Sequence, residues 1–148
     1  MRRAALVAVA LLAAAAAPAA LAEHRSVARP AVLYDGPSKQ ARRVWVAPRG
    51  MPVEVVSTLG AWVKVRDVAG DVAWIERIDL GERRTVVAST LATVRQQPQD
   101  GAAVALHADR GVLLEIGEAP NEAPGGWLRV RHRDGGTGWV RATEVWGW

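Results

Sequence analysis

Two short stretches of the chain alternate apolar and polar residues with period two on either side of a glycine break. In Trp62–Arg66 (WVKVR), Val63 and Val65 share one face, and Trp62, Lys64 and Arg66 share the other. In Val72–Glu76 (VAWIE), Ala73 and Ile75 fall on one side, and Trp74 and Glu76 on the other. This period predicts half-buried strands, and Gly70 between them predicts a β-hairpin. The same design returns in Trp127–Arg131 (WLRVR) and around Trp139, with Gly135 and Gly136 in the break. Aliphatic runs at Val53–Val56 and Leu113–Ile116 predict a further strand ahead of each hairpin, each preceded by an Arg-Gly turn at Arg49-Gly50 and Arg110-Gly111. Beyond the apolar N-terminal run, no segment carries a sustained helical stripe.

The recurrence is a tandem duplication. Pro37–Val55 lies over Pro98–Ile116 without a gap, and Trp62–Leu80 over Trp127–Val145, with 11 identities in 38 positions where chance gives roughly two or three. The matched pairs include Glu54/Glu115, Arg66/Arg131, Trp62/Trp127 and Trp74/Trp139. A four-residue insertion in Glu118–Gly126 separates the blocks. Symmetry of the first hairpin about Ala69 sets Trp74 opposite Lys64 and Trp62 opposite Glu76. The second hairpin then sets Trp139 opposite Arg129 and Trp127 opposite Arg141. A cation over an indole contributes roughly 0.5–1 kcal/mol at an exposed site.

The first residues follow another rule. Arg2 and Arg3 precede an apolar run from Ala4 to Ala17, Pro18 breaks it, and Ala20-Leu21-Ala22 is a small-x-small cleavage site. This predicts a secretory signal peptide over residues 1–22, cleaved after Ala22, and a periplasmic or secreted product without stable membrane insertion. Retention of the run as an anchor is the alternative. Removing 22 of the 148 residues leaves 126, with 17 basic against 15 acidic groups, a net charge of about +2. With no long basic run, nucleic acid is not an expected partner. The absence of Cys removes disulfides, so stability rests on packing.

Each unit resembles a bacterial SH3-like (SH3b) domain. A short strand runs into a Gly-Pro-Ser turn in Val32–Ser38, a turn glycine precedes an aliphatic strand in RGMPVEVV and RGVLLEI, and Gly/Ala-Trp-x-Lys/Arg-Val is followed by Gly/Ala-Trp-Ile/Val. The second unit departs at its start, where no Gly stands before Pro98. The expected fold is all-β, two tandem small SH3-like barrels over residues 23–81 and 82–148. The short segment Gly81–Thr85 is expected to hold them in contact.

The resemblance implies a binding module. In eukaryotic SH3 domains a Trp at the place of Trp62 lines the ligand groove, and Tyr34 matches the first Tyr of the Ala-Leu-Tyr-Asp-Tyr motif. Gly36, Glu76 and Asp79 stand where other groove residues would be, so polyproline binding is not expected. What remains is an aromatic beside cations: Trp62 with Lys64 and Arg66, and Trp127 with Arg129 and Arg131, with Tyr34 alongside in the first unit. Such a surface stacks a sugar or peptide face and pairs a carboxylate. The expected partner is cell-wall peptidoglycan, or a periplasmic protein or peptide. A structural or assembly protein of the envelope is the alternative, and a solvated basic face is the plain one. Trp74 and Trp139 are expected to pack, Trp45 to join the core, and Trp146 to pack on its own or the partner barrel.

No catalytic set is legible. There is no Cys, and His24, His107 and His132 do not fall at metal-ligand spacing or beside Ser26, Ser38, Ser57 or Ser89 in a catalytic motif. The expectation is a non-enzyme without cofactor or metal, in which the two barrels leave no room for a hydrolase domain. His24, beside the cleavage site, is expected to be disordered.

Overall fold

The structure is a computed structural model that describes residues 22–117 and 124–148. The signal-peptide and cleavage-site readings, and most of the 118–126 insertion, lie outside the described residues.

The chain forms two antiparallel sheets. The first holds β1 (His24–Val27), β2 (Ala31–Tyr34), β3 (Arg43–Ala47), β4 (Pro52–Leu59), β5 (Trp62–Arg66), β6 (Val72–Glu76) and β7 (Leu80–Gly81). The second holds β8 (Thr85–Ala88), β9 (Ala92–Arg95), β10 (Val104–Ala108), β11 (Leu113–Ile116), β12 (Trp127–Arg131), β13 (Thr137–Arg141) and β14 (Val145–Trp146). The strand orders are β3-β2-β6-β5-β4-β1-β7 and β10-β9-β13-β12-β11-β8-β14. Adding seven to each strand of the first order gives the second, so the duplication extends to topology. The protein is all-β, as the alternation predicted, and forms the two tandem SH3-like barrels that the resemblance implied. Among the described residues no helix is long and apolar enough to cross a membrane.

Period two decides what is inside. Val63, Val65, Ala73 and Ile75 join Val27, Ala31, Leu33, Ala47 and Val53 in the first core. Leu128, Val130 and Val140 join Val86, Val94, Leu114 and Ile116 in the second. Full burial of each such aliphatic side chain stabilises by about 1.5–3 kcal/mol. Trp45 packs half-buried against the first core, and Leu106 takes the same place in the second. The counterpart of Ala73 is Gly138. A Cβ there would lie 2.5 Å from the carbonyl oxygen of Arg95, so the second barrel closes more tightly at this point.

Both hairpins pair in the expected register, Lys64 with Trp74 and Trp62 with Glu76, then Arg129 with Trp139 and Trp127 with Arg141. Their turns place Gly70 and Gly135 at φ 94° and 95°, where a side chain is strained. Asp67 holds the first turn, its Oδ1 accepting from the backbone N–H of Ala69 and of Asp71 at 2.9 Å each. His132 replaces it in the second turn, and its Nδ1 accepts from the N–H of Asp134 at 3.3 Å.

The barrels touch through β1 and β8. The hydroxyls of Ser26 and Thr85, both buried, lie 2.8 Å apart. The N–H of Thr85 donates to Ser26 Oγ at 3.0 Å, and the Thr85 hydroxyl donates to the carbonyl of Gly50. Arg84 donates to the carbonyl of Gly147 at 3.1 Å. His24 corrects its sequence reading. Far from disordered, it sits half-buried in β1 with its ring edge-on to Trp146 of the second barrel, centroids 5.0 Å apart. Pairing of β1 with β4 and the cover of Trp146 hold it there. Burial, then the charge of Arg84, lowers its pKa below the ordinary 6.5. The strand β1 itself was not signalled by the sequence, since only Ser26 and Val27 of its four residues are buried.

Candidate functional site

In the first barrel β2 runs Leu33 into the core and turns Tyr34 outward, where it pairs in register with Trp74. Tyr34 is nevertheless only 7% exposed, because the half-buried Trp62 covers it. The two rings meet edge to face at 90°, with centroids 5.4 Å apart. Lys64 holds its Nζ 5.8 Å from the centroid of Trp74. Lys39, on the β2–β3 loop, reaches Glu76 at 3.2 Å, and Glu76 is the strand partner of Trp62. The result is an aromatic edge with ammonium groups close by and part of an indole open to solvent.

Arg66 is less free than its place on the strand implied. It grips Glu54, its cross-strand partner, through Nε and Nη2 at 2.6–2.9 Å. Arg131 does the same to Glu115 at 2.8 Å. Both members of each pair are identities of the repeat, so the signal was present in the sequence but was not joined into a contact. The hydrogen bond from Arg131, reinforced by the charges of Arg83, Arg131 and Arg49, holds the Glu115 carboxyl below its ordinary pKa.

The second barrel places Trp127 differently. Expected on an open ligand face, it is instead 4% exposed. The guanidinium of Arg141 lies over its ring at 4.3 Å. Asp100 fixes that guanidinium, accepting from Nε at 3.1 Å and Nη2 at 2.5 Å, and this hydrogen bond lowers the Asp100 pKa. Asp100 and Arg141 occupy the repeat positions of Lys39 and Glu76, so the two barrels carry the same ion pair with its charges exchanged. The position of Tyr34 is held by Arg95, which donates to the carbonyl of Ala102 at 2.9 Å. Register set two cations opposite indoles in this barrel, and of these Arg141 lies over Trp127 as a cation–π contact, whereas Arg129 is Trp139's strand partner only. Arg129 is exposed on β12.

The structure thus sets Tyr34 against Trp62 and Lys64 near Trp74, the strand partner of Tyr34, and it buries Trp127 beneath Arg141. Trp74 and Trp139 are half-buried. The three histidines are apart, His24 at the barrel junction, His107 exposed on β10 and His132 in a hairpin turn. Among the described residues no three His, Asp or Glu side chains gather as a metal-ligand set.

The family model described as bacterial SH3 domain matches the chain twice, over residues 27–80 and 88–147. No curated protein matches. Among solved structures the chain is similar to NlpC1 from Trichomonas vaginalis, at 14% identity and a TM-score of 0.40, covering 93% of this chain and 50% of that one. It is similar also to NlpC2 from Trichomonas vaginalis, at 16% identity and a TM-score of 0.38, covering 83% and 46%. A third is an NlpC/P60 family protein from Bacillus cereus, at 15% identity and a TM-score of 0.37, covering 84% and 56%. The chain spans about half the length of these solved chains.

Proposed function

The chain belongs to the bacterial SH3 domain family, and from that premise we propose that it is an exported, non-catalytic binding module that recognises cell-wall peptidoglycan through its first barrel. The observation that carries this reading is the half-open Trp62 set edge-on against Tyr34, with Lys64 and Lys39 nearby. An indole face stacks on a sugar ring, and ammonium groups pair the free carboxylates of stem peptides. Export follows from the reading of residues 1–22 as a cleaved signal peptide, with barrels over 23–81 and 82–148. Mass spectrometry of the exported protein, expecting Glu23 as first residue, checks the cleavage.

Co-sedimentation with purified sacculi tests the function. The wild-type protein is expected in the pellet and Trp62→Ala largely in the supernatant, with both folded by circular dichroism. Equal retention of the two ends the reading. An assay for wall hydrolysis by the purified protein tests the non-catalytic part, and release of soluble muropeptides would contradict it.

One observation favours a second reading, an assembly protein of the envelope. Strand β3 ends its sheet and leaves Val44 44% and Val46 60% exposed. An edge with apolar side chains invites another strand. Self-association in sedimentation velocity that Val46→Lys abolishes would support it.

A further inference from the structure

Where the barrels meet, a groove of about 860 Å³ opens between the Arg49-Gly50 turn of the first and strand β11 of the second. Arg49, Arg83, Arg131 and Arg133 line it, over a floor that includes Gly50 and Leu113. A single carboxylate among the lining residues, Glu115, answers these four guanidinium groups, bridged by Arg83 at 3.0 Å and Arg131 at 2.8 Å. At the rim, Asp134 stands 3.9 Å from Arg133 and 3.3 Å from His132. The side chains of Arg83 and Arg133 are 69% and 88% exposed, so both remain hydrated and able to reorient.

The lining carries an excess of three positive charges, in a chain whose whole net charge is +4. An adjoining hollow of about 640 Å³ shares Arg83, Glu115 and Arg131 and adds Arg84, Arg129 and one further carboxylate, Glu82, so guanidinium groups outnumber carboxylates there by four to two. The basic strip therefore continues along β12. Together the two hollows exceed what one small ion needs and suit several anionic groups in a row. Guanidinium forks match carboxylate and phosphate oxygens two at a time, and clustering them at a junction with apolar floor strengthens each contact.

We propose that this inter-barrel groove is a second binding site, one that takes an extended chain bearing regularly spaced oxyanions, phosphate or carboxylate. It is built from both barrels, unlike the Tyr34–Trp62 edge, so it exists only while the junction is closed. Arg129 and Arg131, which sequence reading placed beside Trp127, belong to this strip.

Fluorescence anisotropy with labelled inorganic polyphosphate and labelled poly-glutamate tests it at low salt. The full chain is compared with the combined Arg49→Gln, Arg83→Gln, Arg133→Gln variant and with a charge-matched control, Arg29→Gln, Arg42→Gln, Arg43→Gln, placed off the groove. The wild type is expected to bind at least one polymer. The groove variant should weaken binding roughly tenfold or more, since each lost charged hydrogen bond matters more than net charge. The control should stay within about twofold. Preference for polyphosphate identifies a phosphate source, and preference for poly-glutamate a carboxylate source. No binding of either polymer by the wild type, or an equal loss in the control, overturns the proposal. Trp62→Ala should bind the polymers as the wild type does, so this result and the sacculus result fail independently.

Discussion

In the first barrel Trp62 stands half-open against Tyr34, whereas in the second Trp127, at the matching place, lies 4% exposed beneath Arg141. The strand order, the hairpin register and the cross-strand Glu–Arg pair are the same in both. What differs is a few side chains: Tyr34 against Arg95, and Lys39–Glu76 against Asp100–Arg141. When the strand partner of the Trp is a glutamate, the indole stays uncovered. When it is an arginine held by an aspartate, the guanidinium lies over the ring. One barrel keeps its tryptophan for the surface and the other uses it as packing.

The largest expected effect separates these roles. Trp127→Ala should cost about 3–5 kcal/mol in denaturant unfolding, the range for removing a buried Trp. Trp62→Ala should cost clearly less, because its ring is only half removed from water. Equal costs would break the comparison.

The next test converts one barrel into the other. Lys39→Asp with Glu76→Arg copies the second barrel's pair onto the first and should lay a guanidinium over Trp62. Retention on sacculi should fall towards that of Trp62→Ala, while stability changes by about 1 kcal/mol or less, since exposed pairs and cation–π contacts are each worth little. Unchanged retention would show that the openness of Trp62 does not matter.

A third prediction concerns the junction that joins the barrels. Burial lowers the pKa of His24, so the folded protein keeps the imidazole neutral. The unfolded chain takes up a proton at the ordinary 6.5. Stability from this residue is full above that pH and is lost as pH falls through the lowered folded value. The unfolding midpoint should drop between pH 7.5 and 5 more steeply in the wild type than in His24→Gln, measured by thermal melts.

The smallest effect belongs to the shared ion pairs. Arg66→Gln and Arg131→Gln should each cost under about 1 kcal/mol, because the arginines are largely exposed. Arg131→Gln should cost the less of the two in denaturant unfolding, because Arg83 still bridges Glu115 at 3.0 Å, and a larger loss for Arg131→Gln would contradict this.

Much of the fold was legible because period two and glycine-marked hairpin turns are local signals. Val63, Val65 and Ile75 could be assigned to a core from spacing alone, and a turn centred near Ala69 fixed the register. Strand β1 escaped because Arg25 and His24 are polar and its pairing with β4 is a long-range contact. The site was legible only in part. Trp62 and Lys64 stood out from the repeat and the strand faces and Tyr34 from the family resemblance, and Tyr34 meets Trp62 while Lys64 reaches Trp74, the strand partner of Tyr34. The burial of Trp127 was not, because it depends on Asp100, 41 residues from Arg141 along the chain. The inter-barrel groove was beyond reach for the same reason, since Arg49 and Arg133 meet only when two barrels dock.

The indole N–H resonances of the seven tryptophans offer the most direct test of the difference between the barrels. With Trp62 and Trp127 assigned by Trp→Phe substitution, solubilised peptidoglycan fragments are titrated into the labelled protein. The account predicts that the Trp62 signal shifts with saturation and that the Trp127 signal stays in place. A shift of Trp127 without Trp62, or no shift of Trp62 at saturating fragment, would contradict it.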